Sequence, residues 1–387
     1  MSSDRVNTIG ASATAPQALG AGRGMSAWLD RHSSKVFILP AVIVILAFSI
    51  FPLIVSAYLS LTRFRLAPGG FELRWAGFRN FDRLLFGSEQ YHFLGTFGAV
   101  GWFGWIVMLG GAGLIIWWLV RYWISGRARV LGTIGRLITA TVGFGIVVLA
   151  TVTLSEGGAF GSLMVTLFYV TVGCSIQFAI ALGLALLCAK PIRGRAFFRV
   201  VFFMPLMVTP VGIAYMFRML ADMSKGPLEP IWSLFGFADV AWANDAWAAR
   251  MVVVIGDSWQ WIAFIFIVML AALESQPRDQ IEAAQLDGAG RWQVFRDVTW
   301  PTIVPVAATV MLIRVIEAFK IIDLPNVLTN GGPGIATESM TLHAFFAWRT
   351  QDLGGSAAIG YMLLFVAVVI CVSFFNLVVQ RQKARFT

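Results

Sequence analysis

The sequence has few charged residues and few side chains of the kinds that catalyse reactions or bind metals. Asp, Glu, Lys and Arg make up 13% of its 387 residues, whereas 58% are hydrophobic. Neither cysteine nor histidine spacing fits a metal site or a disulfide framework. The cysteines are Cys174, Cys188 and Cys371, inside or at the edge of apolar runs, and the histidines, isolated from one another along the chain, are His32, His92 and His343. No metal site is therefore predicted, and a membrane-embedded enzyme is poorly supported.

The sequence also lacks a nucleotide-binding loop. A P-loop places a lysine directly after a glycine, where the lysine reaches the β- and γ-phosphates. None of the lysines here follows a glycine. The chain is therefore not expected to bind and hydrolyse ATP in the usual P-loop way, and any ATPase that powers it would be a separate subunit.

What the sequence does have is long, continuous apolar runs. Several reach the length of about 20 residues that a helix needs to cross a bilayer. Strands of a membrane barrel would alternate apolar and polar residues, whereas these runs are uninterrupted and therefore require helices. The sequence predicts an all-α polytopic membrane protein with about eight transmembrane helices. Its net charge of +9 is attributed to basic residues on cytoplasmic loops, and no nucleic-acid partner is predicted.

The runs and the polar stretches between them divide the chain. Ser, Ala, Gly and Thr dominate its first residues without apolar periodicity, which is typical of disorder. The predicted segments are a disordered cytoplasmic tail (1–35), a first transmembrane helix (36–62), a periplasmic loop (63–96), a transmembrane hairpin (97–154), a membrane core (161–379) that includes a polar loop (275–301), and a cytoplasmic tail (380–387).

Basic residues predict the orientation, because loops that stay in the cytoplasm retain Lys and Arg. With both termini inside, the inside segments hold a basic N-terminal stretch, the Arg121 to Arg136 cluster, the Lys190 to Arg199 cluster, the arginines of the polar loop and a basic C-terminus. The loop at 63–94 also contains arginines and disagrees, but the other segments outweigh it. The polar loop is therefore predicted to face the cytoplasm.

The polar loop is predicted to form two short helices that meet at a glycine. The first runs from Pro277, at the first helical position, to Asp287, and Gly288 ends it in the left-handed conformation. The second is predicted to stop at Pro301, which opens the next span. Its apolar face is predicted from the spacing of Trp292, Phe295 and Val298.

This loop carries a family resemblance. From Glu282 to Pro301 the chain reads Glu-Ala-Ala, three residues, Gly, nine residues, a branched aliphatic residue, one residue, a large apolar residue and Pro. That spacing resembles the coupling-loop signature of permease subunits of binding-protein-dependent ABC importers. Val298 stands where the family usually has Ile, and Trp300 where it usually has Leu.

The resemblance implies an assembly in the bacterial inner membrane. It implies a six-helix core, so that the hairpin at 97–154 is an insertion, and a second homologous permease subunit. It also implies two cytoplasmic ABC ATPase subunits that bind ATP and magnesium, and a periplasmic solute-binding protein, while this chain itself carries no cofactor. The residues to which it assigns mechanical coupling to the ATPase are Glu282, Ala283, Ala284, Asp287, Gly288 and Pro301.

A second segment resembles the carbohydrate-type branch of these permeases. From Ile322 to Pro333 the chain contains an Asp, then Leu-Thr, one residue, and Gly-Gly-Pro, which resembles a segment of the sugar-type permeases. The implied cargo is a sugar, oligosaccharide or polyol, which the sequence does not identify further. The residues that the resemblance assigns to an outer gate or a binding-protein contact are Asp323, Asn330, Gly331, Gly332 and Pro333.

Polar residues within the spans are the candidates for a translocation path, because leaving them in lipid is costly. Arg314 and Glu317 are three residues apart in the span from 302, so they are predicted to pair on one helix face, with Lys320 one turn further. Such a pair either lines the path or only fixes helix packing. In the preceding span the candidates are Asp257, Gln260 and Trp261, whose polar and aromatic groups suit a sugar, although tryptophans there also fit an interfacial belt.

Two functions remain open at this point. The first is a permease subunit of an ATP-driven importer that works by alternating access. The second is an ion-coupled secondary transporter of a polar solute, in which Arg314 and Glu317 relay the ion. The importer alone requires an ATPase partner, so co-purification separates the two.

Overall fold

The structure is a computed structural model that describes residues 38–386 except 68–69, 125–129, 191–192, 224 and 237–241. The tail predicted at 1–35 lies outside the described residues. Seven described helices are long and apolar enough to cross a membrane, or eight if one bent pair is a single span. This confirms the predicted fold class of a polytopic helical membrane protein with about eight transmembrane helices.

The described residues 38–56 form one unit, and the described residues from Ala57 onward form another. The first unit contains most of helix α1, Ile38–Ser60. A π turn at Leu46–Ile50 ends two residues before Pro52. Proline has no backbone N–H to donate, and the wider π turn accommodates that loss without ending the helix.

The second unit begins with a small extramembrane region. Asn80 is buried, and its side-chain Nδ2 donates to the carbonyl oxygens of Ser60 at 2.7 Å and Thr62 at 2.9 Å. This side chain ties the end of α1 to the region that follows. The elements are strands β1 (Thr62–Ala67) and β2 (Gly70–Trp75), paired antiparallel, and helices α2 (Arg79–Leu85) and α3 (Gln90–Phe93).

A short antiparallel pair of strands, β3 (Gly95–Thr96) and β4 (Ala159–Phe160), flanks the transmembrane hairpin at its two ends. Its helices are α4 (Trp102–Ile124) and α5 (Val130–Leu154). The first helix therefore starts at 102 rather than at 97, because the preceding residues pair with the strand that leaves the hairpin. Gly95 has φ +104, and a Cβ there would lie 2.1 Å from the carbonyl oxygen of Ala159. The two ends of the hairpin thus lie side by side, as an insertion requires.

The remaining helices form the membrane core. Their bounds are α6 (Ser162–Cys188), α7 (Arg195–Phe203), α8 (Pro210–Ala221), α9 (Glu229–Leu234), α10 (Ala246–Glu274), α11 (Arg278–Leu286), α12 (Arg291–Phe319), α13 (Asp323–Thr329), α14 (Met340–Arg349) and α15 (Leu353–Phe386). Short 3₁₀ turns at Met204–Met207 and Trp242–Asn244 complete the described set.

One predicted span is sharply broken. The segments Arg195–Met207 and Pro210–Ala221 meet at an angle of 102°. The break lies between Pro205 and Pro210, where the sequence predicts kinks because proline lacks a backbone N–H. Thr209 caps the second segment, because its hydroxyl accepts a hydrogen bond from the backbone N–H of Gly212 at 3.3 Å.

Helices α6, α10, α12 and α15 supply the buried core. One apolar cluster includes Val165, Val253, Ala318 and Ile359, and a second, nearer the polar loop, contains Ala181, Phe266, Met269 and Ile303. Small residues such as Ala181, which is fully buried, allow neighbouring helices to approach closely. These helices hold the functional residues in fixed positions.

Candidate functional site

The polar loop contains a helix that ends at a glycine, as predicted. Gly288 has φ +80, and its backbone N–H donates to the carbonyl of Gln285 at 3.0 Å. The left-handed conformation predicted for Gly288 is thus confirmed. The helix begins at Arg278, and Pro277 precedes it as the N-cap rather than occupying its first turn.

The prediction that Pro301 stops the second piece of the loop is wrong. The second piece continues without interruption into the next span as α12. A π turn at Phe295–Thr299 ends two residues before Pro301, the same arrangement that carries α1 past Pro52. The wider turn absorbs the missing N–H of proline. The second piece of the loop and the transmembrane helix are therefore one continuous helix, Arg291–Phe319.

Aromatic side chains fix this second piece to the membrane core. The ring of Trp300 lies 6.4 Å from that of Phe178 on α6 and 6.1 Å from that of Phe295, which in turn stacks on Trp292 at 5.6 Å. Trp300, where the family usually has Leu, therefore reaches a neighbouring helix with a large ring. Trp292 is 69% exposed, so the predicted apolar face is only partly buried.

The loop presents an exposed surface away from the core. Glu282, Ala283, Asp287 and Gly288 are exposed, and Ala284 is half-buried. Leu286, at the end of this polar helix, is 89% exposed. Sequence reasoning did not single out Leu286, although its place among polar residues was a usable signal.

A buried polar network joins three transmembrane helices. Arg314 on α12 is only 1% exposed and pairs with the carboxylate of Asp257 on α10. Its Nε donates to Oε1 of Gln177 on α6 at 2.6 Å. Gln177 Nε2 then donates to Asp257 Oδ2 at 2.8 Å and lies 3.3 Å from Ser258 Oγ. Each member of the network has a partner, which is what makes a buried charge tolerable.

The predicted pair of Arg314 with Glu317 is therefore wrong. Glu317 instead accepts a 2.6 Å bond from Lys320, and the two side chains are 35% and 58% exposed. Arg314 points toward α6 and α10. It therefore pairs with the carboxylate of Asp257, 57 positions earlier in the sequence, and not with that of Glu317, three positions away. Gln177 and Ser258 were not predicted, although a glutamine inside an apolar run was a signal.

The other two path candidates also have structural contacts. Gln260 is 7% exposed, and its Nε2 donates to the carbonyl of Val208 at 3.2 Å, at the break between α7 and α8. The half-buried ring of Trp261 lies under the guanidinium of Arg314, 4.6 Å from the ring centroid to Cζ. The predicted path residues therefore lie in three places. Asp257 and Trp261 contact Arg314, Gln260 lies at the break between α7 and α8, and Glu317 pairs with Lys320.

The Gly-Gly-Pro segment is packed rather than open. Asn330 and Gly331 have φ values of +48 and +86, which fold the chain back on itself. Thr337 is fully buried, and its carbonyl accepts a bond from the hydroxyl of Tyr169 at 3.1 Å. Arg250 Nε donates to the neighbouring carbonyl of Ala336 at 2.6 Å.

The five predicted gate or contact residues differ in accessibility. Asn330 is exposed, Gly331 is buried, and Asp323, Gly332 and Pro333 are half-buried.

Two histidines that are far apart in sequence meet beside this segment. His92 Nε2 lies 2.8 Å from Glu338 Oε1, and the His92 and His343 rings stack with centroids 4.0 Å apart. His343 Nδ1 lies 3.0 Å from Ser162 Oγ. Burial, with smaller contributions from His92 and Arg83, lowers the pKa of His343 to about 3, so it is neutral at physiological pH.

His92 and His343, which are isolated from each other along the chain, are thus neighbours in space. The donor atoms of His92, Glu338 and His343 lie within 4.8 Å of one another. The rings are inclined by only 16°, whereas a shared metal would have to lie near the plane of both rings. The absence of a metal site stays a prediction.

A family profile and two known relatives match this sequence. The sequence profile described as "Binding-protein-dependent transport system inner membrane component" matches residues 179–385, which is more than half of the chain and includes the polar loop. The trehalose/maltose transport system permease protein MalF of Thermococcus litoralis is 33% identical over 208 residues, 54% of this chain and 70% of that protein. The sn-glycerol-3-phosphate transport system permease protein UgpA of Agrobacterium fabrum is 26% identical over 232 residues, 59% of this chain and 78% of that protein.

A solved structure shows the same fold. It is a bacterial ABC transporter involved in the import of the acidic polysaccharide alginate, and it matches with a TM-score of 0.60 at 19% identity, covering 91% of this chain and 97% of that chain. The chain therefore belongs to the family of binding-protein-dependent transport system inner membrane components, and it is a multi-pass permease subunit.

Proposed function

We propose that this chain is one of two transmembrane subunits of an ATP-driven importer, and that its polar loop receives the motion of a cytoplasmic ATPase. The observation that carries the proposal is the loop itself. A helix with exposed Glu282, Ala283 and Leu286 ends at Gly288, and the chain then turns directly into the continuous helix α12. A displacement of the exposed helix is thereby transmitted to a span that contacts α10 and α15.

The chemistry of the loop suits docking to another protein. Leu286 offers a large apolar side chain that is 89% exposed, and covering it on docking would remove apolar surface from water. Glu282 can form a charge-assisted hydrogen bond with a basic residue of the ATPase. The ATP and magnesium would bind to that partner, since this sequence has no P-loop.

We propose a sugar, oligosaccharide or polyol as the cargo. The relatives named above are permeases of trehalose/maltose and of sn-glycerol-3-phosphate systems. A structural neighbour was solved in complex with a periplasmic protein that carries an alginate pentasaccharide, which supports a periplasmic solute-binding partner here. Both termini are proposed to lie in the cytoplasm, on the basis of the basic segments.

The proposed translocation path follows the accessible polar residues rather than the buried network. Trp261 and Glu317 are half-buried and Lys320 is exposed, so these side chains are available to a solute between two permease subunits. Arg314, Asp257 and Gln260 are buried and bonded within the chain. We assign these three to holding the helices in register, so that the path opens by movement of whole helices.

The rival function, an ion-coupled secondary transporter, has lost its main support. It relied on Arg314 and Glu317 as a relay, but these residues have different partners and different accessibility.

The docking role of the loop is tested by substitution of its exposed leucine. In Leu286→Glu we expect the ATPase subunits to be lost from complexes purified through a tag on this chain, because a charge replaces an apolar contact at the interface. The matched control is Leu234→Glu, at an 81% exposed leucine on α9, which is predicted to lie on the opposite side of the membrane.

Retention of the ATPase subunits by the two variants decides whether the loop docks them. The proposal expects the control to retain the ATPase subunits and Leu286→Glu to lose most of them, with both variants inserted in the membrane at wild-type levels. Equal retention by both variants would show that the loop does not dock the ATPase.

A further inference from the structure

The transmembrane hairpin and the last helix enclose a cavity that lies apart from the loop and the buried network. Its volume is about 620 Å³, and its walls come from α4, α5 and α15. This size falls within the range of about 300–1,000 Å³ that is usual for small-molecule sites. Gly135 and Gly143 lie along it, and a Cβ added at either would meet no atom within 4 Å. The missing side chains therefore leave the space open.

A single charged residue lines the described walls of this cavity. Arg136 on α5 is half-buried, and its guanidinium lies 3.5 Å from the ring centroid of Tyr122 and 5.4 Å from that of Trp118. Arg136 forms no ion pair with any described acidic residue. The two rings hold the arginine at the wall of the cavity by cation–π contacts, instead of leaving it free to extend into water.

The sequence around the cavity carries only positive charge. Neither the hairpin from 97 to 154 nor the chain after Asp352 contains an Asp or a Glu. Arg121 and Arg136 flank the connection between the hairpin helices, and the sequence places Arg127 and Arg129 in that connection. An anion entering the cavity would meet no repulsive carboxylate from these helices.

The depth of the cavity matches a membrane boundary. Arg136 lies six residues, about 9 Å, after the start of α5. Tyr122 lies near the end of α4, and Asn376, which also lines the cavity, lies four residues before Gln380, where the polar and basic end of the chain begins. These positions lie where head groups meet acyl chains, at the boundary that the basic residues predict to be cytoplasmic.

Apart from Thr139, Ser373 and Asn376, the remaining walls are mostly apolar and face outward. Ile115 and Val372 line the cavity, and next to it Ile116 and Leu137 are more than half exposed. An occupant that satisfies both the arginine and these walls must have an anionic head and an apolar tail. Basic pockets between transmembrane helices on the cytoplasmic side are suited to anionic lipid head groups.

We propose that the hairpin and α15 form a binding site for an anionic phospholipid of the membrane. The lipid phosphate pairs with Arg136, and the amide of Asn376 is within the same cavity to bond the head group. The hydroxyls of Thr139 and Ser373, which also line the cavity, lie 3.2 Å apart and bond to each other. The acyl chains lie along the apolar walls. On this account the hairpin fixes a lipid between itself and the last helix of the core.

Native mass spectrometry of the full chain in detergent tests the proposal. The probes are phosphatidylglycerol and phosphatidylcholine with identical acyl chains. The wild-type protein is expected to retain phosphatidylglycerol preferentially, and Arg136→Gln to weaken that retention about fivefold, while leaving phosphatidylcholine unchanged.

Two further variants separate this site from general attraction to the membrane surface. Arg121→Gln removes an exposed charge at the same boundary, where Arg121 lies 5.4 Å above the ring of Trp117 and outside the cavity; it is expected to bind phosphatidylglycerol like wild type. Gly135→Phe fills the open space and keeps Arg136, and it is expected to displace the lipid from a protein that melts at the wild-type temperature.

Each contrary result overturns the proposal. Equal losses in Arg136→Gln and Arg121→Gln would indicate a diffuse charge effect, and equal binding of the two lipids would indicate an unselective apolar groove. Loss of the bound phosphatidylglycerol when this chain assembles with its partner subunits would assign the cavity to a protein partner instead.

Discussion

At the scale of single residues, Arg314 shows how a charge is kept in the membrane interior. It is 1% exposed, and Asp257 and Gln177 supply the partners that its guanidinium would lose on leaving water. Because the three residues come from α12, α10 and α6, the network fixes the register of these helices relative to one another. Such a network restricts how the helices can move, since any sliding between them leaves a charge unpaired.

This role predicts that replacing two acidic residues of the same membrane region by alanine lowers the free energy of unfolding by different amounts. Asp257→Ala leaves Arg314 buried and unpaired, so we expect destabilisation of about 3–5 kcal/mol. Glu317→Ala removes the partner of an exposed lysine and should cost no more than about 1 kcal/mol. Thermal melting of the purified variants in detergent measures both. Similar shifts in melting temperature for the two variants would contradict the assignment of Asp257 to the network.

The sequence predicted which residues are polar within the spans but not how they pair. Arg314 and Glu317 satisfy the helical spacing rule, and only the rotation of α12 shows that they face different neighbours. Asp257 and Gln177 are distant in sequence, so no local pattern connects them to Arg314. The same limit applies to His92 and His343, which meet only in the folded chain.

At the scale of elements, the sequence predicted that the polar loop contains two helical pieces that meet at Gly288. It did not predict that the second piece continues into the next span. Gly288 ends the first helix because its φ is positive, a conformation that glycine adopts without strain. Pro301 was expected to stop the second helix because proline removes a backbone donor. The π turn at Phe295–Thr299 compensates for this loss, and no simple residue pattern predicts such a turn.

The conformation of Gly288 leads to a test of the loop by a small substitution. Gly288→Ala introduces a residue that disfavours the left-handed region by about 1–2 kcal/mol, although its Cβ would meet nothing within 4 Å. We expect a several-fold fall in binding-protein-stimulated ATP hydrolysis by the reconstituted complex, because the docking helix loses its fixed orientation. Gly288→Asn, which tolerates this conformation better, should retain more activity.

Gly290→Ser is the matched control. Gly290 lies two residues further with an ordinary φ of −69 and is the N-cap of the next helix, a position that serine fills at least as well as glycine. It should behave like the wild-type protein. If Gly290→Ser impaired the complex as strongly as Gly288→Ala, the effect would come from crowding at the interface and not from the backbone conformation.

At the scale of the whole molecule, hydropathy predicted the fold class because membrane helices must be long, apolar and internally hydrogen-bonded. Proline positions predicted where one span breaks, although not that its two halves meet at 102°. That angle depends on tertiary contacts such as the bond from Gln260 to the carbonyl of Val208 at the break. The close approach of Gly95 to Ala159 explains how a hairpin is accommodated beside the core without displacing it.

As one proposed subunit of an ATP-driven assembly, this chain should transport its solute only together with its partners. Solute uptake by proteoliposomes measures this most directly, with this chain, its partner permease and the ATPase subunits in the membrane and the solute-binding protein added outside. Uptake is expected to require ATP on the ATPase side and the binding protein on the other, and to persist when an ionophore dissipates ion gradients. Uptake by this chain without the ATPase, driven by an ion gradient and abolished by the ionophore, would contradict the proposal.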